Sequence, residues 1–107
     1  METLSDKLAL IGRHLDRATT ALAADSAASP VLVAVLGEFA RKHQKASAGL
    51  GGATEQVARE LVVELEQAGD SANVAAKADP GASADSRKAI DIAHNSICVL
   101  KFETKPA

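Results

Sequence analysis

Residues 4–22 read LSDKLALIGRHLDRATTAL. Within them Leu4, Leu8, Ile11, Leu15, Ala18 and Leu22 follow one another at alternating steps of four and three. That is the seam of an amphipathic helix that packs against other helices. Asp6, Arg13, Asp16 and Arg17 lie off the seam, as solvated residues do. Leu10 also lies off it, which makes it a candidate for a contact outside the core. Thr3 or Ser5 supplies a capping hydroxyl and Asp6 suits the first turn. The spacing predicts a helix over residues 3–24.

Three more segments carry a helical stripe, and none shows the period-two alternation of a strand. Ser29-Pro30 is a start signal, a capping hydroxyl followed by a proline at the first helical position. A helix over 30–47 then places Leu32, Val35, Leu36 and Phe39 on one face. The Gly49-Leu50-Gly51-Gly52 stretch breaks it, and Thr54 caps the next helix, over 54–78. Its stripe reads Val57, Ala58, Leu61, Leu65 and Ala68. Ala72, Ala75 and Ala76 stay on the same arc when the phase is carried through Gly69, so one long helix is expected, with a kink or a split at Gly69 as the alternatives. Pro80-Gly81 ends it. Ser83 caps a last helix over 83–102, where Ile90, Ala93, Ile97 and Leu100 form a stripe that Ile92 and Val99 widen. Four helices joined by short or glycine-rich turns predict an all-α, antiparallel up-down-up-down four-helix bundle. With 107 residues it forms a single domain spanning 1–107.

The composition bounds the chemistry. About a fifth of the chain is alanine, well above ordinary usage. Tryptophan and tyrosine are absent, and Phe39 and Phe102 are the only aromatic rings. Small side chains let helix axes approach, yet each buries little area. Modest stability is therefore expected unless a second copy or a partner adds buried surface. The formal charge of −2, with acids and bases intermixed, lacks the basic face of a nucleic-acid binder. The lack of aromatics removes base-stacking platforms. One cysteine, Cys98, permits no internal disulfide and fits a reducing compartment. The first residues show no basic segment followed by an apolar one. The most apolar run, Val31–Leu36, is too short for a bilayer. These features lead to the expectation of a cytoplasmic protein with neither a nucleic-acid nor a membrane partner.

Several constellations invite a chemical reading. His43 falls one turn after Phe39 on the apolar face of its helix, beside Arg41, Lys42 and Lys45. A histidine on a bundle helix resembles the histidine phosphotransfer modules, in which an exposed imidazole attacks an aspartyl phosphate. That resemblance implies a phosphoryl-accepting role for His43 with Lys45 nearby. The typical module has lysine three positions after the histidine and then glycine. Here Lys45 is two positions after and Gly49 six. The other reading is a half-buried histidine near a helix C-terminus, where basic residues suit the dipole. Asp91, His94 and Cys98 share one side of the last helix, and His94 and Cys98 stand one turn apart, a spacing that suits two metal ligands. Further ligands would have to come from elsewhere, His14 and His43 being the only other imidazoles. By themselves the pair describe a polar helix face with a free thiol, and no metal or other cofactor is assigned. The glycine-rich 49–54 loop precedes a helix but has neither the lysine of a P-loop nor the preceding strand of a dinucleotide site. Arg13, His14 and Arg17 with Arg41, Lys42 and Lys45 form a basic patch only if their helices are neighbours and nearby acids leave them uncompensated. No nucleophile, base and acid set stands out, because the serines sit at caps and loops.

The expectation is a non-enzymatic helical interaction module that self-associates or binds a protein partner. Leu10, Ile92, Val99 and Phe102 are its candidate interface residues. The alternative is a phosphotransfer-type signalling protein using His43.

Overall fold

Thr3, Ser29, Thr54 and Ser83 each place a hydroxyl oxygen at the start of a helix. Their Oγ atoms accept from the backbone N–H of Asp6 (3.1 Å), Val31 (3.0 Å), Val57 (3.2 Å) and Ser86 (3.1 Å). Asp6 returns the bond to the Thr3 N–H, completing a capping box. Each cap of this kind contributes about 0.5–2 kcal/mol. The four helices they open are α1 (Leu4–Ala23), α2 (Pro30–Gly49), α3 (Glu55–Ala78) and α4 (Ala84–Glu103). These boundaries come from a computed structural model that describes residues 3–49 and 52–103. Leu50 and Gly51 of the glycine-rich turn lie outside the described residues.

The helices form an antiparallel four-helix bundle of 42 × 21 × 20 Å, with no strand among the described residues. Each helix packs on the next, and α4 closes the ring against α1. Among the described residues no helix is long and apolar enough to cross a membrane. Leu8, Ile11, Leu15, Ala18 and Leu22 of α1 are buried, as are Leu32, Leu36 and Phe39 of α2 and Ile90, Ala93, Ile97 and Leu100 of α4. The expected stripes of these three helices therefore face the core, with Leu4 and Val35 at its margin.

Helix α3 runs unbroken from Glu55 to Ala78, so Gly69 does not split it. Its buried line is rotated from the expected one. Val62, Leu65, Gly69, Ala72, Asn73 and Ala76 are buried, whereas Val57 is exposed and Ala58, Leu61, Ala68 and Ala75 are only half-buried. The reason is that α3 packs between α2 and α4. The residues facing the gap between two neighbours are covered completely, and those facing one neighbour only partly. Leu61, for example, faces α2, close enough that a Cβ on Gly49 would lie 3.1 Å from its Cδ1. Val57 sits in the first turn, at the end of the bundle. Only one aromatic ring enters the core. Phe39 is fully buried, and Phe102, the other, is 74% exposed.

At one end of the bundle two turns hold each other. Asp25, after α1, accepts from the Ser83 N–H (2.7 Å) and the Ser86 hydroxyl (3.0 Å) at the start of α4. Asp79, after α3, accepts from the Ser29 N–H (2.7 Å) at the start of α2 and from the Gly81 N–H (2.9 Å). Each turn thus lends a carboxylate to the helix N-terminus that the other turn opens, where orphan N–H groups and the dipole favour negative charge. The turns touch so closely that a Cβ on Gly81 would lie 2.0 Å from the Ala27 carbonyl oxygen. Glycine is required there by close approach rather than by a left-handed backbone, since no glycine among the described residues has positive φ.

Candidate functional site

His43 is half-buried, and its Nε2 lies 2.7 Å from the backbone carbonyl oxygen of Leu8 in α1. A carbonyl oxygen only accepts, so Nε2 carries the proton and donates it. The ring lies over Gly12, where a Cβ would come within 2.8 Å of its Cε1. His43 is therefore a wedge between α1 and α2. Lys45, its expected companion, turns the other way and pairs with Glu64 of α3 at 3.0 Å. The Glu64 carboxyl is held below its ordinary pKa chiefly by that lysine. The structure separates His43 from Lys45.

The basic patch is not assembled either. Arg41 pairs with Glu38 at 2.7 Å, and Lys42 lies 4.0 Å from the same carboxylate. The Glu38 carboxyl is lowered by these contacts, first by the Arg41 hydrogen bond. On α1, burial and then the charges of Arg17 and Arg13 lower the pKa of His14, favouring its neutral form. Its buried Nδ1 has no partner among the described residues.

His94 and Cys98 meet a third group that the sequence reading did not connect to them. Asp70 of α3 reaches across to His94, and its Oδ1 contacts Nε2. Cys98 Sγ lies 3.4 Å from the same nitrogen. The carboxylate oxygen, Nε2 and Sγ all lie within 4.8 Å of one another. Asp91, expected beside this pair, instead accepts from Asn95 Nδ2 at 3.3 Å. The two remaining histidines are elsewhere, His43 on the α1 backbone and His14 on α1 itself. A signal for Asp70 existed in the sequence. Phase continuity through Gly69 makes residue 70 part of a helix rather than a loop, and so able to face α4. Glu66, one turn earlier on α3, pairs with Lys101 of α4 at 3.4 Å. Burial pushes the Cys98 thiol upward, the Asp70 and Glu66 carboxylates add to the rise, and Lys101 opposes it.

Three atoms rich in lone pairs therefore crowd one point. A neutral His94 has at most one proton on Nε2, and donating it to Asp70 leaves that nitrogen unable to accept from the thiol. This is not the geometry of a nucleophilic triad, where acid and nucleophile use opposite ring nitrogens. Here both use Nε2, and Nδ1 is buried with no partner among the described residues.

The third region is the outer face of α1 and α4. Leu10 is 39% exposed, Ile92 40%, Val99 57% and Phe102 74%. Leu10 and Val99 line one shallow groove of about 200 Å³ with Lys7, Ser96 and Glu103. Lys7 and Glu103 pair across its rim. No known protein family, curated protein or solved structure matches the chain.

Proposed function

We propose that the chain is a non-enzymatic helical interaction module, and that the partner it takes is a second copy of itself. One observation carries this reading: the outer line of α4 is complementary to itself when reversed. Lys88, Ile92, Asn95, Ser96, Val99 and Glu103 follow at helical spacing along that line, and all but the half-buried Ser96 are exposed. A twofold axis between Asn95 and Ser96 sets Ile92 against Val99 of the second copy, and Lys88 against its Glu103, a carboxylate that also pairs with Lys7 of its own chain. Apolar meets apolar and cation meets anion, twice over, as an isologous contact requires. The crossing point is low and satisfied. The Ser96 hydroxyl donates to the Ile92 carbonyl at 2.9 Å, and Asn95 donates to Asp91. Burying the Ser96 hydroxyl therefore strands no donor. Leu10 flanks the line through its groove with Val99, and Phe102 extends it to the helix end.

A charge swap tests the pairing. Lys88→Glu sets two acids against each other at each end and is expected to weaken association, because like charges across an interface are unfavourable. Adding Glu103→Lys, with Lys7→Glu to keep the pair within the chain, restores opposite charges in the reversed sense and is expected to recover it. If the combined variant associates no better than Lys88→Glu alone, the antiparallel α4 contact is wrong.

The phosphotransfer alternative finds no such support. His43 Nε2 is held by the Leu8 carbonyl, and Lys45, the lysine that reading calls for, pairs with Glu64 instead.

A further inference from the structure

We propose that Asp70, His94 and Cys98 form a three-ligand site for a borderline divalent transition metal, zinc being the fitting ion, across the contact between α3 and α4. The donor set is one carboxylate oxygen, one imidazole nitrogen and one sulfur. Zinc accepts all three, whereas magnesium and calcium take oxygen alone. Two ligands bound at zinc distances and a tetrahedral angle stand about 3.3–3.8 Å apart. Nε2 and Sγ are already 3.4 Å apart. The Asp70 side chain is half-exposed, at 50%, so its carboxylate is free to swing from direct contact with Nε2 to a ligand position, while His94, at 14%, is held. Two of the ligands, His94 and Cys98, lie at i and i+4 on one helix and so project to the same side.

A dication at the shared point also resolves the conflict around Nε2. It replaces a single proton that cannot serve both neighbours with one centre that all three lone pairs address. The same two carboxylates, Asp70 and Glu66, that disfavour a bare thiolate favour a divalent cation there. Three protein ligands leave a fourth coordination position open, with Glu66, engaged by Lys101, to one side. Among the described residues the His94 Nδ1 has no partner of the kind that usually orients a metal-bound imidazole. Affinity below that of a fully supported structural site is therefore expected.

The test is a cobalt titration of the full chain under reducing conditions, followed by competition with zinc. One Co²⁺ per chain is expected, with a sulfur-to-cobalt charge-transfer absorption that zinc abolishes. Cys98→Ser should lose that absorption. Asp70→Asn and His94→Ala should weaken binding more than the 10–100-fold typical of losing an outer-shell partner. Circular dichroism of each variant checks that the bundle remains. Should Cys98→Ser fail to fold, Asp70→Asn carries the test, because its half-exposed side chain leaves the core untouched. No charge-transfer absorption at micromolar chain, or one whose affinity is unchanged in Asp70→Asn and His94→Ala, overturns the site. His94 and Cys98 meet Asp70 at the contact between α3 and α4, away from the outer line of α4, so the variants leave the association test independent.

Discussion

The Phe39 ring rests directly on Gly69. A Cβ at Gly69 would lie 3.0 Å from Phe39 Cζ and 3.2 Å from Ile97 Cγ2. The glycine that looks like a helix stop is the seat for the one aromatic ring in the core. It also fixes the neighbourhood of the polar cluster, because Gly69 precedes Asp70 and Ile97 precedes Cys98.

Two glycine substitutions should therefore have opposite signs. At Gly69 an added methyl gains up to about 1 kcal/mol of helix propensity, but overpacking costs about 1–3 kcal/mol. Neither neighbour is free to yield, since Phe39 and Ile97 are both fully buried. Gly69→Ala is expected to destabilise by about 1 kcal/mol. At Gly37 the nearest atom to an added Cβ is Arg41 Nη1 at 3.7 Å, an ordinary contact. Gly37→Ala is expected to stabilise by about 0.4–1 kcal/mol. Denaturant midpoints of both variants decide, and a stabilising Gly69→Ala would show that the seat is looser than described.

Gly12 and His43 should behave as one unit. Gly12→Ala drives the ring off the Leu8 carbonyl, and His43→Ala removes the ring altogether. In the His43→Ala background, Gly12→Ala no longer meets the ring that crowds it. The double variant should lose less than the two single losses combined, by about 1 kcal/mol, as contacting pairs do. Strict additivity in a double-mutant cycle would mean that the wedge does not couple α1 to α2.

Acid should loosen the clasp between the two turns. The Asp25 carboxyl is held below its ordinary value of 3.8, first by the Ser83 N–H and then, against the cost of burial, by Ser86. A depressed folded value means that the stabilisation is present above the unfolded value and is lost as pH falls through the folded one. Asp25→Asn resembles the protonated acid in shape. It should therefore be less stable than the parent chain at neutral pH, with the gap closing below about pH 4. Urea melts at about pH 7 and pH 2.5 check this. A gap that does not change with pH would remove the charge from the clasp.

The helices, their caps and most of the core were legible because each rests on local rules. Alternating steps of three and four mark a face, and a hydroxyl before an apolar run marks a start. The Leu4–Leu22 seam, the Ser29-Pro30 start and the continuity of α3 all follow from such rules. What was not legible depends on which helices meet. Val57 and Val62 both fit an amphipathic arc, and only the position of α3 between α2 and α4 selects Val62. Asp70 belongs with His94 and Cys98 through a contact spanning 24 residues, for which helical phase alone gives no partner. Asp91 has the right spacing on α4 but faces Asn95. Likewise, Lys45 follows His43 closely in sequence, yet a step of two on a helix sends the side chains to different neighbours.

The mass of the chain in solution tests the central claim most directly, measured by light scattering after size exclusion over a micromolar concentration series. The account predicts a dimer for the parent chain. It predicts a shift toward monomer for Val99→Asp with helicity retained, because Val99 is 57% exposed and lies outside the core. A strict monomer throughout, or a Val99→Asp chain that unfolds, would contradict it.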